Sequence, residues 1–202
     1  MQFDTFSNIN SIIERDKADT PYKYSLLKSV IESCQEYPHY AKESGDRISL
    51  PVGLCVVKWL LYYYPFFTPG KFIIMRRGEA NGKHQIAFRT AFETLCKFYE
   101  EHGGISVFYD DLSSGTIPDE ILETTANLVS KIRYAVRDMP MRYLGYSQTG
   151  REYSVFHLEE KTKPIPKKTT LSVQTIIEKS GTYSISKELY IVCMSSSGDR
   201  VH

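Results

Sequence analysis

Tryptophan occurs once in this 202-residue sequence, and no two cysteines form a CxxC pair. The four cysteines, Cys34, Cys55, Cys96 and Cys193, are widely spaced, which argues against a zinc knuckle within the chain. Three of them fall in apolar helical patterns, where a reduced thiol behaves as a small hydrophobe. The five histidines show neither HxxxH nor HExxH spacing, so no metal site follows from them alone. GxSxG and phosphate-loop patterns are also missing. The longest apolar stretch, residues 51–67, is broken by Lys58 and Pro65 and falls short of the ~20 residues of a membrane span. It is expected to be a buried helix, with no membrane involved. The start, Met1-Gln-Phe-Asp-Thr, lacks a basic segment followed by an apolar one, so a cytoplasmic location is expected. A net charge of +1 and a pI of about 7.6 lack the strong basic excess of a dedicated nucleic-acid binder.

What is present is ordinary for a folded protein: 42% hydrophobic and 24% charged residues. Thr20-Pro21 reads as a helix start, and Tyr24, Leu27, Val30, Ile31 and Cys34 then recur with helical period toward Pro38. Residues 47–50 read as extended. Pro51 is placed in the first turn of a helix running to about Tyr64, whose aromatic face of Trp59, Tyr62, Tyr63 and Tyr64 is expected to face the core. Residues 68–84 carry turn signals, and Ile86, Phe88, Phe92, Leu95, Cys96 and Tyr99 mark another amphipathic helix, ended by Gly103-Gly104. Residues 105–109 read as a strand or an extended loop. Pro118 opens a helix that Met139-Pro140 ends. Residues 152–158 and 171–177 read as strands, with residues 181–185 pairing back as a hairpin. Ser186 begins a capped helix of about two turns, which needs packing to hold itself. The expected class is α+β: a helical domain over residues 1–148, and a small antiparallel β-containing extension over residues 149–202 that ends in a truncated helix.

Three segments carry a resemblance. Asp16, Thr20, Tyr22, Lys23, Leu26 and Leu27 open the first helix; Met139, Pro140, Arg142, Tyr143 and Leu144 end a later one; residues 185–190 begin the last. Together they resemble the N-terminal region of a family of bacterial HNH endonucleases. The resemblance implies a DNA-cutting protein of restriction, phage defence or mobile-element maintenance, whose chemistry lies in a C-terminal ββα-metal unit. In such a unit a histidine activates water and a divalent ion stabilises the leaving oxygen. No His-Asn-His cluster follows Tyr190, so the activity is not carried over. The expectation is a truncated nuclease: a non-catalytic module that engages DNA or a partner protein, with no cofactor in this chain and a divalent metal only in the missing nuclease part.

Charge is segmented along the chain. Residues 69–97 carry six Lys/Arg against two acids, residues 98–124 carry seven acids and no Lys/Arg, and residues 131–168 carry nine Lys/Arg against four acids. Clustered cations suit phosphates, because neutralising them releases condensed counterions. The candidate DNA-binding residues are therefore Arg76, Arg77 and Lys83 in the first basic segment, and Arg133, Arg137, Arg142, Lys167 and Lys168 in the second. Arg133 and Arg137 stand one helical turn apart and share a face. The competing expectation is a solvated surface paired with the acids of residues 98–124, and either those acids or the truncated C-terminal helix would dock a separate nuclease or defence partner. A third pattern joins Asp110-Asp111 and Glu159 with Lys161, each placed at a strand end. It has the residue types of a metal-dependent nuclease site, carboxylates for the ion and lysine to orient water.

Overall fold

A computed structural model describes residues 21–70, 73–75, 79, 85–143 and 155–195. The elements run α1 (Tyr22–Glu36), β1 (Lys42–Ser44), β2 (Arg47–Pro51), α2 (Val52–Tyr63), α3 (Arg89–Glu100), α4 (Gly104–Ser114), α5 (Asp119–Asp138), α6 (Pro140–Tyr143), β3 (His157–Leu158), α7 (Val173–Lys179), β4 (Thr182–Ser186) and α8 (Lys187–Ser195). The fold is α+β, with a four-stranded antiparallel sheet in the order β1-β2-β4-β3 beside the helices. Among the described residues no helix is long and apolar enough to cross a membrane.

Proline sets three helix starts. Pro21, Pro51 and Pro118 each occupy the position just before the first helical residue, so all three stand just outside the first turn in which they were expected. Its extended backbone, φ −67° and ψ 131°, also lets it close β2. At the other end of α5, Met139 leaves the helical region ahead of Pro140, as steric conflict with the proline ring demands.

One hydrophobic core runs through the molecule. Trp59, Tyr63, Phe88, Phe92, Tyr99 and Phe108 are all buried in it. Their rings meet at centroid distances such as 5.4 Å for Trp59–Tyr63 and 4.9 Å for the stacked Phe67–Phe92 pair. Trp59, Tyr63 and Tyr64 are thus core, whereas Tyr62 is half-buried and donates its hydroxyl to Glu32. All four cysteines are buried and reduced; burial, reinforced by the charges of Glu93 and Glu100, pushes the Cys96 thiol up to about 12.

The segment after the expected boundary contributes to the same core. The boundary at residues 148/149 lies outside the described residues, but Phe156, Leu171, Ile176, Tyr183 and Ile185 share the core with α1, α2 and α5. β4 is a central strand, pairing Ile185 with Ile48 of β2 and Tyr183 with Leu158 of β3. The last helix docks: Ser186 Oγ accepts from the Leu189 N–H at 3.2 Å, and Gln35 on α1 donates to the Cys193 carbonyl at 2.8 Å.

Three expectations are corrected. Residues 105–109 are helical, inside α4, because Phe108 and Leu112 at i and i+4 find a buried face against the neighbouring aromatics. Gly103 and Gly104, both at positive φ, turn the chain from α3 into that helix. Residues 173–179 form α7 rather than a strand: Ser172 caps it by accepting from the Thr175 N–H at 3.1 Å, and Ile176 and Ile177 pack inward. Packing outweighs their β propensity here. The strand expected over residues 152–158 is His157–Leu158 within the described residues, and residues 152–154 lie outside them. The segment 182–186 therefore pairs with β2 and β3, not with residues 171–177.

Candidate functional site

Among the described residues the longest helix, α5, spans 20 residues. Its apolar positions Leu128, Ile132 and Val136 enter the core, which turns Ser130, Arg133, Tyr134, Arg137 and Asp138 toward the opposite side. Across that side runs the connector that follows β3.

Two arginines staple the connector to the helix. Arg133 Nη1 donates to the Lys163 carbonyl at 2.7 Å and to the Lys179 carbonyl at 3.0 Å. Arg137 Nη1 donates to the Glu160 carbonyl at 3.0 Å. Burial, with the Arg137 charge beside it, lowers the pKa of Arg133. Gly181 makes room for this arrangement: at φ +75°, a Cβ there would lie 2.5 Å from the Glu160 oxygen and 2.6 Å from Arg137 Nη1.

Beside the staples opens a cavity of about 380 Å³. Arg133 and Arg137 line it from α5, Arg142 from α6, and Lys161 and Thr162 from the connector; Ser130, Tyr134 and Asp138 complete the wall. Arg142 Nη2 lies 2.9 Å from Asp138 Oδ1. Four cations thus face one carboxylate. A guanidinium carries five N–H donors, so the two carbonyl bonds of Arg133, the one of Arg137 and the Asp138 contact of Arg142 leave donors on each arginine for an anion. The arrangement suits phosphate or carboxylate oxygens, which guanidinium groups hold in a forked geometry.

Of the residues singled out from sequence, Arg133, Arg137 and Arg142 converge here. Lys161, expected as a water-orienting lysine, joins them. Lys167 and Lys168 are exposed farther along the connector; Lys167 lies 3.9 Å from Glu123, an instance among the described residues of the expected pairing with the 98–124 acids. Arg76, Arg77 and Lys83 lie outside the described residues.

The carboxylate pattern is not assembled. Asp110 and Asp111 belong to helix α4, not to a strand end. Asp111 accepts from Tyr99 OH at 2.8 Å and from Thr116 Oγ1 at 3.3 Å. Glu159 is used by the sheet: it accepts from Ser49 Oγ at 2.6 Å. Burial works against its charge, but hydrogen bonds from Ser49, Ser184 and Thr182 and the nearby Arg47 hold its carboxyl below the ordinary carboxylate range. Among the described residues no three His, Cys, Asp or Glu side chains gather as a metal-holding group.

Two features escaped the sequence reading. Tyr134 is 60% exposed in the cavity wall; an aromatic residue on the polar side of α5 was the available signal. Glu79 and Arg89 form a buried pair, with Arg89 Nε 2.7 Å from Glu79 Oε1. Glu79 also accepts from the Met75 N–H at 2.7 Å and the Ile86 N–H at 3.3 Å. Nothing in the local pattern signals it, since the partners are joined across a loop.

Residues 2–198 match the model of a domain of unknown function, DUF8808, and the chain belongs to that family. No curated protein and no solved structure matches it.

Proposed function

We propose that this member of the DUF8808 family is a non-catalytic DNA-engaging module whose phosphate contacts come from the cavity between α5, α6 and the connector. The observation that carries the reading is the convergence of Arg133, Arg137, Arg142 and Lys161, drawn from separate stretches of chain, on one cavity. The resemblance of residues 16–28, 131–144 and 185–190 to the N-terminal region of HNH endonucleases supports the same reading. In it, the chain does the work that such an endonuclease assigns to the region ahead of its metal-binding unit. Restriction or phage defence in a bacterial cytoplasm is the setting, and any divalent metal belongs to a separate nuclease part.

The test is binding to a labelled duplex over a range of salt concentrations. Wild-type protein is expected to bind with an affinity that falls steeply with salt, each neutralised phosphate contributing about 0.9 to the logarithmic slope. Arg142→Glu with Lys161→Glu should weaken binding and flatten the slope. Binding indifferent to both charge reversals and to salt would sink the proposal.

A second reading has a specific observation behind it. Helix α4 exposes the Tyr109 ring beside Asp110, within the acidic 98–124 segment, an aromatic anchor with an acidic neighbour that fits a basic-rimmed groove on a protein partner. Co-purification of a partner lost on Tyr109→Ala but kept on Arg142→Glu would favour it over DNA engagement.

A further inference from the structure

Resting on the DNA-engaging reading, we infer that the cavity takes a single unpaired nucleotide, so that the module binds single-stranded DNA in preference to duplex. The outward face of α5 places Tyr134 between Arg133 and Arg137, with Asp138 one turn beyond. The Tyr134 ring is 60% exposed and has no ring partner among the described residues. On a soluble helix, a large aromatic left open in the wall of a cationic cavity offers something that phosphate binding alone does not use: a flat apolar face beside the charges.

The volume suits the same ligand. About 380 Å³ lies near the lower end of the ~300–1,000 Å³ of small-molecule sites, room for one base and its phosphate rather than for the side of a double helix. In a duplex the base faces are stacked against one another and only the backbone and the base edges face the protein, so a ring such as Tyr134 finds no base face to stack on. In a single strand each base has a free face, and stacking on an aromatic side chain is favourable and tolerant of sequence. Arg142 and Lys161, both exposed, supply the phosphate contacts. Asp138 bonds Arg142 through Oδ1, and Oδ2 of the same carboxylate is an acceptor for an exocyclic amino group of the stacked base. Ser130 gives its hydrogen to the Ala126 carbonyl at 2.9 Å, so toward the cavity its oxygen acts as an acceptor as well. Cations for phosphate, a ring for the base and acceptors for its edge thus stand around one space.

The experiment compares a labelled single-stranded oligonucleotide with the duplex of the same sequence, using the full chain at fixed salt, for wild type, Tyr134→Ala, Tyr134→Phe and the pair Arg142→Glu with Lys161→Glu. The expected result is tighter binding of the single strand. Tyr134→Ala should lower single-strand affinity by about tenfold or more, while Tyr134→Phe retains it, since stacking needs the ring and not the hydroxyl. Because Tyr134 is exposed, the alanine variant should melt with wild-type protein, which separates lost stacking from lost folding. Equal binding of both strands, or an unchanged single-strand affinity in Tyr134→Ala, overturns the inference. If the charge reversals still abolish binding in that case, DNA engagement stands without it. Failure of wild type to bind either strand overturns both.

Discussion

Gly53 on α2 lies so close to Ile177 on α7 that a Cβ added to it would sit 2.4 Å from the Ile177 Cα and 2.6 Å from the Ile176 carbonyl oxygen. The obstruction is backbone on both sides, so no rotamer change relieves it. Gly53 is the second residue of α2, where replacing glycine by alanine ordinarily favours the helix by up to about 1 kcal/mol. Here the sign should reverse: forcing the two helices apart should cost roughly 1–3 kcal/mol, the usual range for overpacking. Urea denaturation read by tryptophan fluorescence checks it, since Trp59 on the same helix is buried. A variant as stable as wild type or more so would show that the contact is looser than described.

The Glu79 carboxylate organises the approach to α3. It accepts from the Met75 and Ile86 backbone N–H groups and from Arg89, which in turn donates to the Ile73 carbonyl at 2.6 Å. Burial opposes its charge, but these donors win and hold its carboxyl below the ordinary carboxylate range. The unfolded chain therefore takes up the proton first as pH falls. Stability from Glu79 is complete at neutral pH and is lost as pH drops below the ordinary carboxylate value of about 4.3 toward the lower folded one. Glu79→Gln should cost about 3 kcal/mol at pH 7, as when one partner leaves a buried pair. The gap between variant and wild type should narrow from about pH 5 downward. Melting curves across that range test the sign; a gap that widens in acid would contradict it.

How much of this was legible beforehand follows from what each element depends on. The starts at Pro21, Pro51 and Pro118 and the stop at Met139-Pro140 were readable, within a residue, because proline acts through its own covalent geometry. Burial of Trp59, Tyr63 and Tyr64 was readable from periodicity, while Tyr62 of the same expected face stays half-buried. Residues 105–109 and 171–177 were misread because their β-branched residues favour strands, whereas neighbours distant in sequence offer Phe108, Leu112, Ile176 and Ile177 a helical burial face. At the cavity, the shared face of Arg133 and Arg137 followed from their spacing. Their targets are backbone carbonyls, of Glu160, Lys163 and Lys179, and a carbonyl has no letter in a sequence. For the same reason the arrival of Lys161 beside Arg142 was out of reach.

The Arg137 staple depends on Gly181. At φ +75° that glycine adopts a conformation that L side chains rarely take, and any Cβ would collide with the Glu160 oxygen that Arg137 holds. Gly181→Ala should therefore loosen the connector as well as strain β4. Limited trypsin digestion reads this directly, since Lys161 lies in the connector and is followed by Thr162. Cleavage after Lys161 should accelerate several-fold in Gly181→Ala and also in Arg137→Gln, which removes the staple without the strain. Unchanged cleavage in Arg137→Gln would mean that other contacts, those of Arg133 first among them, suffice to hold the connector.

Position, rather than charge alone, should govern nucleic-acid binding if the cavity is where it happens. Lys167 and Lys168 lie on the same connector as Lys161 but do not line the cavity, and Lys167 is within 3.9 Å of Glu123. Reversing Lys167 and Lys168 changes the net charge by the same amount as reversing Arg142 and Lys161. A purely electrostatic surface would feel both changes alike, because long-range attraction depends on the summed field. A built site would not. Loss of two charge-assisted phosphate contacts should lower affinity roughly tenfold or more and cut the logarithmic salt slope by about 1.8 on duplex or about 1.4 on a single strand, whereas the distal pair should shift affinity slightly and leave the slope near its original value. Arg142 and Lys161 are exposed, so their reversal should leave the melting temperature close to wild type, unlike changes at Arg133 and Arg137, which hold backbone. Titrations of the two double variants at several salt concentrations decide the matter: equal losses would assign binding to diffuse charge, and a loss confined to Arg142 and Lys161 would assign it to the cavity.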